Sequence, residues 1–220
     1  MVGLDLAGSE RRRTGFCALT PDGRTTTAVL HTDDEILAAV RASVPSVVSI
    51  DAPLFLPAGR TSIESREPFH LRASDRILQR LGIRFFPVTL GPMRTLTARG
   101  MRMRAQLESE GFRTIEGYPG AGQDLLGIPR KGEGVDRLRE GLVRSGLSGD
   151  IERRATTHDE LDAASAAFLG DRYMAGDFVA VGDPAEGWMI LAPKAAVLAR
   201  FAARSALLPR PDGPVRGKRK

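Results

Sequence analysis

The chain has 220 residues, 42% hydrophobic and 27% charged, which suits one soluble folded unit with a sizeable core and excludes a disordered or membrane-spanning composition. Its net charge of +5 is concentrated at one end: residues 210–220 hold five basic residues against one acid, so the body is nearly neutral. The single cysteine, Cys17, excludes an internal disulfide and a multi-cysteine zinc site, and fits a reducing, cytoplasmic setting with no signal peptide and no bilayer-spanning run.

Residues 2–6 read as a strand, with Val2, Leu4 and Leu6 on one face and Gly3 and Asp5 on the other. Thr14–Leu19 and Arg24–Leu30 follow as strands around the turn Thr20-Pro21-Asp22-Gly23, completing an antiparallel meander. Asp33 or Asp34 caps a helix reaching about Ser43, with Ile36, Leu37 and Val40 on one face. Residues 46–51 form a short, mostly apolar strand of the kind found at a central parallel position.

Residues 52–110 are expected to be a helical insertion over the carboxyl ends of the strands. They contain helices around 71–81 and 93–110, the first stopped by Gly82. Gly111 then resets the chain to a strand over 112–116, which Tyr118-Pro119-Gly120 terminates. Helices are expected over about 135–145 and 158–174, the latter with Leu161, Ala164, Ser165 and Phe168 inward. A hairpin of residues 178–181 and 188–191 and a helix over 195–206 close the body, and the basic tail 210–220 is expected to be disordered. The expected fold is α/β: a mixed five-stranded sheet flanked by helices in one domain over residues 1–209.

Carboxylates mark the ends of these elements. Asp5, Asp51 and Glu116 lie at or beside the ends of apolar strands, where an uncompensated acid is costly. Asp159 and Asp162 are three apart, so one helix face presents both. If the strand at 46–51 pairs beside the first, Asp5 and Asp51 become neighbours at the carboxyl ends, where ligands of α/β sheets bind. Such a set suits Mg2+ or Mn2+, and two such ions clamp both oxygens of a phosphodiester displacement. Each acid alone is equally a turn or cap residue. His158 is a candidate assistant or a capping-region neighbour. Lys131, Arg60, Arg66, Arg76 and the arginines from Arg94 to Arg104 are candidate contacts for an acidic substrate, or a solvated face. Asp75-Arg76 fits a local ion pair. Gly120-Ala121-Gly122 lacks phosphate-loop spacing, and no nucleophile elbow is present.

The motifs V-G-L-D-L-A-G, V-V-S-I-D-A-P-L, S-D-R-I-L-Q-R-L-G, I-E-G-Y-P-G, K-G-E-G-V-D-R-L, H-D-E-L-D-A-A-S-A-A and E-G-W-M-I together resemble the domain of unknown function family 429, over about residues 2–193. That family is described as predicted nucleases of the RNase H-like fold. The resemblance implies a central sheet with an acidic metal site. Asp5 and Asp51 match its strand aspartates, Asp159 and Asp162 its paired helix acids, and Glu116 the acid before Tyr-Pro. Asp75, Arg76 and Lys131 match positions of unassigned role. Gly120 stands where the family often has a second acid.

Three functions follow. The first is a divalent-metal-dependent nuclease. The second is a nucleic-acid-binding or regulatory protein without turnover, using the tail and the arginine-rich insertion. The third is a phosphoryl-transfer enzyme on nucleotides or small phosphorylated metabolites, which a closed, nucleotide-sized pocket under residues 52–110 would favour; an open groove would favour the first.

Overall fold

The computed structural model describes residues 1–153 and 155–206, so the expected tail 210–220 lies outside the described residues. Four strands lie in the first quarter of the chain: β1 (Val2–Asp5), β2 (Thr14–Leu19), β3 (Arg24–Leu30) and, after α1 (Asp33–Ser43), β4 (Val48–Asp51). Next come α2 (Ala73–Leu81), α3 (Gly91–Ser109), β5 (Thr114–Gly117), α4 (Pro119–Leu126) and α5 (Val135–Arg144). The chain continues through β6 (Ser148–Gly149), α6 (Asp150–Arg153), α7 (His158–Met174), β7 (Val179–Asp183), β8 (Gly187–Leu191) and α8 (Lys194–Ala206).

The fold is α/β, as expected, built on a mixed sheet of order β6-β3-β2-β1-β4-β5-β8-β7. Its central five strands, β3-β2-β1-β4-β5, have β2 antiparallel between β1 and β3, and β1, β4 and β5 parallel, which is the RNase H-like arrangement. Among the described residues the sheet has eight strands rather than five. β8 pairs in parallel with β5, so the closing hairpin extends the sheet instead of standing apart from it. Without it, β5 would present an open row of backbone donors and acceptors. At the other edge the two residues of β6 pair with β3.

Two apolar layers sandwich the sheet. Val2, Leu4, Val48 and Ile50 face α1 and α3, meeting Ile36, Val40, Met103 and Leu107. On the opposite face Cys17 and Leu19 meet Leu138 and Leu142 of α5 and Leu161, Ala164 and Ala167 of α7. α7 is buried over most of its length rather than along one stripe: Asp159 through Ala167 are all buried, whereas Phe168 is not. Two glycines explain how it lies so close. A Cβ on Gly3 would come within 2.1 Å of the Ala163 carbonyl oxygen, and one on Gly15 within 1.9 Å of that of Asp159. The glycine face of β1 is therefore the face that receives α7, and Asp5 shares it.

Local chemistry corrects several boundaries. Thr32, not Asp33 or Asp34, caps α1: its side chain accepts from the Glu35 amide, and Glu35 accepts in return from the Thr32 amide at 3.1 Å. The Tyr118-Pro119-Gly120 segment, read as a stop, is also the start of a helix, because proline fits the first helical turn where no amide bond is lost. α2 and α3 occupy the stretch expected as an insertion.

That stretch is pinned by buried carboxylates. Glu116 Oε2 accepts from the Leu54 amide at 2.8 Å and from Arg72 Nη1 at 2.7 Å. Glu186, in the turn between β7 and β8, accepts from the Ala58 amide at 2.7 Å and from the Ala73 amide at the head of α2. On α3, buried Arg99 donates to Asp33, to the Ala7 carbonyl and to the His31 carbonyl, each at 2.8 Å. No helix among the described residues is long and apolar enough to cross a membrane.

Candidate functional site

β1 and β4 run in parallel with Asp5 opposite Asp51, so both carboxylates leave the sheet at its carboxyl end. α7 approaches from the glycine face and delivers Asp162 to the same place. Asp5, Asp51 and Asp162 line one cleft of about 290 Å³ together with Glu116 and Lys131. The far wall comes from residues 52–110: Arg72, Asp75, Leu78, Phe85, Phe86, Met93 and Leu96. Tyr118, Gly120, Gln123 and Arg130 close the side.

Electrostatics in this cleft are set first by burial and then by crowding of negative charge. Burial, then Asp162, pushes the Asp5 carboxyl up to about 7, with Lys131 offsetting part of the rise. Burial, then Asp5 and Asp162, holds Asp51 well above the ordinary carboxylate range. Two facing acids in a poorly solvated floor cannot both ionise cheaply without a cation. Lys131 supplies one positive charge: its Nζ lies 2.8 Å from Asp162 Oδ2. Burial disfavours that ammonium, but Asp162, with Asp5 and Asp159, more than compensates and raises its pKa. Asp162 Oδ1 accepts from Gln123 Nε2 at 2.9 Å, and the same amide donates to Ser165 at 3.0 Å.

The other sequence-derived candidates are placed differently. Asp159 is buried but does not line the cleft. It pairs with Arg13 at 3.4 Å, and its Oδ1 lies 2.8 Å from Nδ1 of His158. It still acts on the cleft through space, raising both Asp5 and Lys131. His158 is the first residue of α7, after the Thr157 cap. Glu116 lines the cleft, but one of its oxygens is committed to Arg72 and Leu54.

Arg60 is buried and spends its guanidinium on the carbonyls of Ser65, Glu67 and Phe69, so it staples its own loop and does not line the cleft. Arg76 is exposed and also lies outside it. Asp75 pairs with Arg72 at 3.0 Å rather than with Arg76, because residues 72 and 75 face each other across the first turn of α2. Arg94 and Arg104 pair with Glu64 and Glu108.

Arg72, Tyr118, Gln123, Arg130 and the Phe85–Phe86 pair were not singled out as site residues by sequence reasoning. Arg72 sits in the far wall with its charge held on by Glu116 and Asp75 against burial. Arg130 forms a bidentate pair with Asp124, at 2.8 and 2.7 Å, and lies 5.7 Å over the Tyr118 ring. The one available clue was position: Arg130 directly precedes the glycine-flanked Lys131.

The donor set fits a hard divalent ion in chemical type, since the charged groups at the floor are carboxylates whose ionisation is penalised until a cation arrives. Among the described residues no three of His, Cys, Asp or Glu are already gathered tightly enough to hold a metal ion. Lys131 instead carries part of that charge balance.

No family model matches the chain, so none confirms the resemblance to family 429, and no curated protein matches either. Among solved structures the chain is similar to T. thermophilus RuvC in complex with a Holliday junction substrate, at 14% identity and a TM-score of 0.43, over 86% of this chain and 99% of that one.

Proposed function

We propose that the chain hydrolyses phosphodiester bonds of nucleic acid with Mg2+ or Mn2+. The observation that carries this is the register neighbourhood of Asp5 and Asp51 at the carboxyl ends of parallel strands, with Asp162 brought to them by α7. In this reading Asp5, Asp51 and Asp162 hold the metal, with Glu116 and Asp159 behind them. When bound, the metal supplies an activated water and stabilises charge on the attacking and leaving oxygens. Asp5 and Asp51, whose carboxyls burial and neighbouring acids raise, would hold it as carboxylates, giving any proton to solvent. Lys131 would exchange its pairing with Asp162 for a phosphate oxygen, and Gln123 would keep Asp162 oriented. Arg130, already fixed by Asp124, offers a preset cation for a neighbouring phosphate.

The test is incubation of the purified protein with RNA, single- and double-stranded DNA and branched DNA in Mg2+ or Mn2+. Metal-dependent cleavage is expected, falling to background in Asp5→Asn and Asp51→Asn. Full activity in those variants, or no cleavage of any substrate, overturns it.

Phosphoryl transfer on a nucleotide is a second reading, favoured by the modest size of the cleft under residues 52–110. Non-catalytic binding draws less support, because Arg60, Arg94, Arg99 and Arg104 of the insertion are engaged within the protein and the tail lies outside the described residues.

A further inference from the structure

The cleft has two chemically different ends. Its floor is acidic. Its outer wall is apolar and aromatic, made by Phe85, Phe86, Met93 and Leu96 of the insertion with Tyr118 and Met189. Phe86 is 70% exposed at the mouth, although its neighbour Phe85 packs into the core around Leu78, Leu81 and Val181. A second cleft adjoins the first: it shares Phe85, Phe86, Tyr118 and Arg130 and adds Ile83 and Arg84. The aromatic ridge is therefore shared by the two clefts, with the carboxylates in the first, Arg84 in the second and Arg130 lining both.

We propose that this ridge seats an unstacked base of single-stranded or frayed nucleic acid, with the scissile phosphate at the carboxylates and the next phosphate toward Arg130 and Arg84; this rests on the nuclease reading given above. A paired base lies inside its stack and must be extruded to reach such a wall, at a cost that a single strand avoids. An aromatic face accepts any base, because every base presents a π-surface. Of the polar side chains lining the cleft, Gln123 already spends its Nε2 on Asp162 and Ser165, and Tyr118 spends its hydroxyl proton on the Arg84 carbonyl. Recognition is thus of strand state rather than of sequence. Continuity into the second cleft favours a polymer over a mononucleotide, since a lone nucleotide would leave Arg84 and the far side of the ridge unused.

The test uses full-length protein carrying Asp51→Asn, so that binding is measured apart from cleavage. Single-stranded DNA oligonucleotides with 2-aminopurine at successive positions, the matching blunt duplex, and AMP are titrated in Mg2+. One labelled position is expected to change fluorescence on binding. Adding Phe86→Ala should weaken single-strand binding roughly 5- to 150-fold, the equivalent of one base–aromatic stack, while Phe86→Trp retains it. Duplex binding should be weaker and indifferent to residue 86.

Unchanged single-strand affinity in Phe86→Ala, a duplex bound as tightly as the single strand, or AMP bound as tightly as the oligonucleotide overturns the proposal. The two readings fail separately. Phe86-dependent binding by a protein that never cleaves leaves the base seat standing and removes the nuclease. Metal-dependent duplex cleavage indifferent to Phe86 does the reverse.

Discussion

Asp5 and Asp51 set the chemistry of the cleft because burial and neighbouring acids make each expensive to ionise. Burial and Asp162 raise the Asp5 carboxyl from 3.8 to about 7, so the folded state binds its proton more tightly than the unfolded chain does. That difference stabilises the fold fully below pH 4 and is lost as pH rises through about 7. The loss amounts to up to about 4 kcal/mol for this group. Groups with depressed pKa values, such as Glu110 held near 2 by Arg41, lose their contribution only at acid pH and leave the range from 5 to 8 unaffected. Metal-free protein is therefore expected to melt progressively lower between pH 5 and pH 8 in thermal denaturation. Asp5→Asn should flatten that slope and melt higher than the parent at pH 8. A flat parent profile would contradict the crowded-acid description. The strand-end placement of these two acids was legible in the sequence because each lies at or next to the end of a short apolar run, although each alone read equally as a turn or cap residue. Arg72 was not. Its partners Glu116 and Asp75 come from different elements, and nothing local marks an arginine that folds inward.

The placement of α7 depends on two residues without side chains. Gly3 and Gly15 let its backbone rest against β1 and β2, which keeps Asp162 over the end of β1. In Gly15→Ala the new methyl would meet the backbone of Asp159, which cannot swing aside as a side-chain tip can. A cost at or above the usual overpacking range of about 1–3 kcal/mol is expected. Gly132→Ala, which meets nothing within 4 Å, should stay within about 0.5 kcal/mol of the parent. Urea denaturation compares them, and equal stabilities would remove the close-approach account. The helix itself was plain from its sequence, but its depth was not. Periodicity marks one apolar stripe, whereas the Ala-rich stretch Ala163–Ala167 is buried on every side. β6 and the pairing of β8 with β5 were equally hidden, because strand pairing is decided by distant partners and a two-residue strand has no period. α4 was marked by Pro119, whose place in a first helical turn looks the same in sequence as a turn that ends a strand.

The cleft exists only in the assembled molecule. β1 and β4 supply its floor, α7 its third acid, and the insertion its far wall. Glu116 and Glu186 tie that wall to the sheet through Leu54, Ala58, Arg72 and Ala73. A ligand that needs all of these parts binds the native state alone, so global unfolding reports its binding. A divalent ion held by Asp5, Asp51 and Asp162 at 100 times its dissociation constant would stabilise by about 2.7 kcal/mol. At roughly 2–4 °C per kcal/mol for a chain near this size, the melting temperature should rise by about 5–10 °C. The ion must displace the proton of Asp5, which titrates near 7, so the shift should be large at pH 8 and much smaller at pH 6. Mn2+ titrations followed by thermal melting at both pH values check this without any substrate. Asp51→Asn should lose the shift, while Glu140→Gln, a change on the surface of α5, should keep it. An equal rise at both pH values, or one that survives in Asp51→Asn, would place the ion elsewhere and detach the metal from these carboxylates.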